Sequence, residues 1–196
     1  MLAALARYRA IAADDVFVFY VASHGTVADQ DLANREYFLI PSNMGLTSDE
    51  ALHRDAISQA DLRQLIASIP ATKKVLLLDT CQAGALGDAL ALTARGESDQ
   101  TAINILSGAV GSTVLSAATS QEQALEGMEG HGVFTWVVLQ GLDGKADVQK
   151  NGYVSTLDLA SYVGDQVPKV AVQVFKREQF PNLHNAGQSF PIVSTH

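Results

Sequence analysis

The chain holds one cysteine, Cys81, and it follows an apolar run that ends on an acid: Val75-Leu76-Leu77-Leu78-Asp79-Thr80-Cys81-Gln82-Ala83-Gly84. The thiolate is the nucleophilic form of cysteine, and a helix N-terminus lowers the pKa that produces it. A helix is expected to start near Gly84, with its dipole favouring that thiolate. A second apolar run, Val16 to Ala22, leads into Ser23-His24-Gly25. Histidine moves protons near neutral pH, and glycine lets a backbone N–H come close to a reacting carbonyl. Cys81 and His24 therefore suit a nucleophile with a proton-handling partner. The plainer readings are a small buried filler for Cys81 and a hydrogen-bonded strand-end residue for His24. Asp79 stands two residues before Cys81, and residues two apart on a strand share a face, so both can line one cleft. A carboxylate there can take a guanidinium in a bidentate pair. Its plainer reading is a cap for the following loop.

The elements that must hold these residues alternate between strands and helices, which points to an α/β domain with a largely parallel sheet. Leu2, Leu5, Ala6 and Arg9 fall at helical spacing, giving a helix over 2–12. Asp14-Asp15 turns into a strand over 16–22. Residues 26–36 read as polar loop, 37–40 as a short strand stopped by Pro41, and 42–57 as loop. Ser58 caps a helix to about Ser68, with Leu62, Leu65 and Ile66 on one face. The run Val75–Leu78, between Lys73-Lys74 and Gly84, suits a central strand covered on both faces. Residues 85–112 are rich in Gly, Ala, Ser and Asp and read as loop, followed by a strand over 113–117. Gly130-His131-Gly132 opens a helix from Val133 to about Leu142. His131 is read there as a cap or packing residue. A further helix runs from about Thr156 to Val167 and is ended by Pro168; Ser189–Val193 forms a last edge strand.

Length and composition bound the partners. With 196 residues, 47% of them hydrophobic, the chain can build one domain with a substantial core. A formal net charge of −8 argues against nucleic acid and anionic membranes as partners. One cysteine excludes an internal disulfide framework and a multi-cysteine zinc site. It fits a reducing compartment, and a cytoplasmic protein is expected. No apolar run approaches the roughly 18 residues of a membrane span. The N-terminus lacks a basic leader ahead of its apolar part and does not read as a signal peptide.

The blocks Ser23-His24-Gly25 and Asp79-Thr80-Cys81-Gln82-Ala83-Gly84 resemble the caspase-type cysteine peptidases, most of all their bacterial metacaspase-like relatives. Caspases place the histidine about 50 residues upstream of the cysteine; here the separation is 57. The resemblance continues through Leu115-Ser-Ala-Ala, Gln123-Ala-Leu-Glu126, Gly130-His-Gly-Val-Phe-Thr135 and Gln188-Ser-Phe-Pro-Ile192, nearly the whole chain. It implies a three-layer sandwich, with a mostly parallel central sheet flanked by helices, and a single domain over 1–196. Residues 85–112 would then be the loop between the large- and small-subunit-like parts.

The resemblance also implies roles. Cys81 attacks the peptide carbonyl, His24 handles the proton of the leaving amine, and the N–H groups of Gly25 and Cys81 form the oxyanion hole. Asp79 matches the acid that selects Arg or Lys in the primary specificity pocket. The function implied is a cysteine endopeptidase acting on proteins or peptides at basic residues, with no required cofactor. Its alternative is a non-catalytic caspase-like scaffold that binds peptides or partners. A third reading, Asp79 as a phosphoryl-transfer nucleophile, lacks a second acid two residues later and a P-loop.

Departures from the family pattern carry further expectations. Ala22-Ser23 replaces the usual Ser-Gly pair and Gln82-Ala83 the usual His-Ser. Ser116-Ala-Ala-Thr-Ser-Gln121 lacks an acid that many metacaspases have, leaving Asp79 more alone. No counterpart of the family's first two strands precedes the helix at 2–12. The chain thus reads as N-terminally truncated, with an exposed sheet edge through which it could form an oligomer. Arg95, inside the 85–112 loop, is the candidate for self-cleavage. Asp147, Asn151 and Asp158 fall on positions of a calcium-loop template, so Ca2+ is a candidate regulator; a solvated turn is the plainer reading.

Overall fold

The apolar run around Leu76 becomes the centre of a six-stranded sheet. The computed structural model of the chain describes residues 2–28, 36–45, 48–80, 111–117 and 124–195. In spatial order the sheet holds β3 (Ile57–Ser58), β2 (Glu36–Ile40), β1 (Val16–Ala28), β4 (Lys73–Thr80), β5 (Gly111–Ser116) and β9 (Asn182–Gly187). Strands β1, β4 and β5 are parallel. On either side the sheet ends in antiparallel pairings, β1 with β2, β2 with β3, and β5 with β9.

Alternation along β4 supplies both faces of the core. Leu76 and Leu78 join Phe17, Phe19 and Val114 beneath α3 (Gln59–Ala67), and Leu5 of the short N-terminal helix α1 (Leu2–Leu5) packs in the same cluster. Val75 and Leu77 join Leu115 on the other face, against α4 (Val133–Gln140) and α5 (Thr156–Val170). Burial of each such side chain contributes about 1.5–3 kcal/mol, so β4 anchors both helical layers. The result is the expected three-layer α/β architecture. Lys74, read as a polar boundary of the run, is itself buried within β4. Its Nζ donates to Ile66 O at 3.0 Å, capping the C-terminal end of α3, and burial lowers its pKa.

Several boundaries differ from expectation for reasons of long-range pairing. β1 runs on to Ala28, because residues 24–28 pair antiparallel with β2, so His24 lies within a strand instead of past its end. The stretch read as loop over 42–57 contains α2 (Asp49–Asp55), capped by Ser48, which accepts from Ala51 N. Its signal was present in the cap and the acidic first turn, Asp49-Glu50. Pro168 does not end α5. The buried stripe Leu159, Val163, Val167 and Ala171 continues past it, and packing of that stripe outweighs the lost hydrogen bond. β9, whose Asn-Leu-His-Asn-Ala-Gly sequence has little intrinsic strand preference, is held by β5. The expected last strand, β10 (Pro191–Ser194), pairs with β8 (Tyr153–Ser155) in a separate two-stranded sheet.

Along Val16–Ser23, β1 pairs with β4 and, among the described residues, with no strand on its other edge. Val16, Val18 and Tyr20 on that stretch are exposed, on the face opposite Phe17 and Phe19. No helix among the described residues is long and apolar enough to cross a membrane.

Candidate active site

Strand register brings the predicted residues to one place. Along the parallel pair β1–β4, Tyr20 lies opposite Leu77 and Ala22 opposite Asp79. His24, two residues beyond Ala22, shares its face. That face opens into a cleft of about 650 Å³ at the carboxyl end of the parallel strands, lined by His24 and Asp79 together. Tyr20 and Ala22 line it from β1, Ile40 from β2 with Pro41 just after it, and Thr135 borders it from α4. His24 is exposed to solvent there, and Gly25 is half-buried. The strand end is pinned from behind by a short hydrogen bond between the Tyr37 and Thr80 hydroxyls and by Ser23 Oγ donating to Ile40 O at 2.8 Å.

Asp79 is held tightly in the cleft wall. It is only 9% exposed, and its Oδ2 accepts the Thr135 N–H at 3.3 Å together with a short bond from Thr135 Oγ1. Thr135 is the third residue of α4, whose N-cap, Gly132, supplies no side-chain cap. Asp79 thus satisfies one of the donors that a helix start leaves unpaired, capping α4 from a neighbouring strand. The Tyr20 hydroxyl lies 2.9 Å from Thr135 Oγ1. Because the Thr135 proton points to the carboxylate, Tyr20 donates in turn, forming a relay Tyr20 to Thr135 to Asp79. A Cβ on Gly132 would sit 2.7 Å from Asp79 Oδ2, so only glycine leaves room for the carboxylate.

Burial pushes the Asp79 pKa up. The two Thr135 hydrogen bonds act against that rise, and the charge of Glu126 adds to it. Among the described residues no Lys or Arg forms an ion pair with Asp79. The site therefore presents a carboxylate at the wall of a cleft, with no basic side chain in an ion pair with it among the described residues.

Glu126 and His131 were not read as site residues from sequence. They come from the hairpin β6 (Glu126–Met128) and β7 (His131–Gly132), and both line the cleft. The only signal of that hairpin was the glycines Gly127, Gly130 and Gly132. Gly127 and Gly130 have φ of 98° and 86°, a left-handed backbone that glycine allows. His131 is exposed on the cleft wall and does not cap α4.

Cys81 and Arg95 lie outside the described residues, as does the expected helix start near Gly84 and all but the last residues of the 85–112 loop. The calcium-template residues each serve local backbone. Asp147 Oδ1 accepts Asn151 N at 2.9 Å, and its Oδ2 accepts Gly152 N at 3.0 Å and Thr195 Oγ1 at 3.0 Å. Burial works to raise the Asp147 pKa, but these donors outweigh it and hold the pKa below the usual value. Asn151 Oδ1 accepts Tyr153 N, and Asp158 closes a capping box with Ser155 at the start of α5. No cluster of three or more His, Cys, Asp or Glu placed to hold a metal occurs among the described residues.

Comparison with known proteins decides the family. A family model described as a caspase domain matches residues 1–190. The chain belongs to the caspase domain family. The caspase domain family is one of cysteine peptidases. No curated protein matches the chain. Among solved structures, protein GSU0716 from Geobacter sulfurreducens is similar with a TM-score of 0.58 at 13% identity, over 95% of this chain and 72% of that one. At that identity the likeness is one of fold.

Proposed function

We propose that this caspase domain is a cysteine endopeptidase that cuts after Arg or Lys, with Cys81 as nucleophile and His24 as its proton-handling partner. The observation that carries the reading is Asp79: a buried carboxylate on the cleft wall, on the face of His24, without a basic partner among the described residues. The pairing of β1 with β4 supports the dyad. Its last pair is Ser23 with Thr80, and the next residues of the two segments are His24 and Cys81. In the proposed reaction, His24 takes the thiol proton and the thiolate adds to the scissile carbonyl. The N–H groups of Gly25 and Cys81 stabilise the oxyanion, and His24 returns the proton to the leaving amine. Water then releases the acyl group from sulfur.

Asp79 would hold the guanidinium or ammonium of the residue on the amino side of the cut. Glu126 adds a second negative charge to the same cleft, so Asp79 is less alone than the sequence suggested. A bound cation offsets both the desolvation and the repulsion that raise the Asp79 pKa. The test is hydrolysis of fluorogenic peptides that differ only in Arg, Lys or Asp before the scissile bond, with Cys81→Ala as control. Cleavage of the Arg and Lys peptides by wild type alone is expected. Equal turnover of the Asp peptide would remove the specificity reading. Binding of all three without turnover would favour a scaffold.

A further inference from the structure

The cleft wall that carries Glu126 is held by a side chain outside the cleft. Gln179 lies between the wide helical turn that follows α5 (Ala171–Phe175) and β9, and it is 0% exposed. Its Nε2 donates to Ala117 O at 2.6 Å, and its Oε1 accepts Leu125 N at 2.9 Å. The orientation of the amide is forced, since the carbonyl needs a donor and the N–H an acceptor. Ala117 is tied in turn to the sheet centre, its N–H donating to Leu78 O at 2.8 Å, one residue before Asp79. Leu125 precedes Glu126, and Leu125 O accepts Val133 N at 2.9 Å, the first residue of α4. One buried amide therefore spans the two backbone points that fix Glu126 and the α4 start relative to Asp79.

We propose that Gln179 is a positioning residue for the specificity cleft, setting the distance between the Asp79 strand and the strand that carries Glu126. This rests on the peptidase reading and deepens it. The residue touches no substrate and acts through Leu125 and Ala117. A glutamine suits the task because it offers one donor and one acceptor on a planar group at the end of a long stem. Loss of either bond leaves a buried backbone group without its partner.

The test compares Gln179→Met, Glu126→Gln and the double variant on paired peptides carrying arginine or citrulline before the scissile bond. Citrulline keeps the shape of arginine without its charge. Gln179→Met is expected to raise KM for the arginine peptide about tenfold, with kcat and the citrulline peptide little changed. The double variant should show less than the sum of the single effects, since both act on one wall. A merely structural role would lower the active fraction, so that kcat falls equally for both peptides while KM and their ratio stay fixed. That result, or additive effects, overturns the proposal. If Gln179→Met does not fold, Gln179→Glu, which keeps the acceptor for Leu125 N but lacks the donor for Ala117, makes the same comparison. A wild type that cleaves both peptides equally instead refutes the charged pocket itself, and the positioning role with it.

Discussion

At Asp79 the proposed specificity is tied to stability. Its pKa is raised in the folded protein, chiefly by burial, so the native state holds its proton more tightly than the unfolded chain does. The stabilisation linked to that proton is fully present below the ordinary value of 3.8 and is lost as pH rises through the folded pKa. Asp79→Asn, which keeps an acceptor for Thr135, should therefore match wild type in thermal stability at pH 3 and exceed it at pH 7. The same variant should lose the preference for Arg over uncharged residues, at a cost on the order of 2–5 kcal/mol in transition-state binding. A melting series across pH and a specificity ratio check the two halves separately. Gly132→Ala tests the fit: its Cβ would fall 2.7 Å from Asp79 Oδ2, so the carboxylate must shift. Turnover of the Arg peptide should fall while Thr135→Val, which removes the hydroxyl relay and not the space, falls less.

Elements owe their ends to local chemistry and their extents to tertiary contacts. α5 begins at the capping box of Ser155 and Asp158, and Asp158 is one of the residues that fall on the calcium template in the sequence. Ser155→Ala should destabilise the domain by about 1 kcal/mol, read from the denaturant midpoint, with added Ca2+ leaving that difference unchanged. A calcium-dependent difference between the variants would favour the metal reading of this loop. α2 shows the converse: Ser48 and Asp49-Glu50 announce a helix, but its short length and two buried residues, Ala51 and Leu52, make a weak apolar period.

At the scale of the molecule, the apolar stripe Val16, Val18 and Tyr20 beside an edge unpaired among the described residues is the kind of surface that associates with other strands. Val18→Lys should increase soluble yield and reduce concentration-dependent association in sedimentation, with no change in peptide turnover, since Val18 lies outside the cleft. The expected self-cleavage also belongs to this scale. Arg95 is the one Lys or Arg between Cys81 and Lys145, so a pocket that selects basic residues has one candidate bond there, Arg95-Gly96. Mass spectrometry of protein incubated with and without Ca2+ should show fragments ending at Arg95 that are missing from Cys81→Ala. An intact chain that still hydrolyses peptides would remove the cut and leave the peptidase.

The pattern of Val75 to Asp79, Phe17 and Phe19, and Leu62 to Ile66 was enough by itself to place a buried central strand, its neighbour and one covering helix. Period-2 and period-3.6 patterning is a local property, and it survives reading without a structure. It also put Asp79 and His24 near the ends of parallel strands, where clefts form. The register that sets Ala22 against Asp79, the continuation of β1 past His24, the approach of Gly132 and Thr135 to the carboxylate, and the Gln179 bridge were decided only in three dimensions. Each is a pairing between segments far apart in the chain. Hydrogen bonds and close approach at that range depend on how whole layers pack, and no local periodicity encodes them.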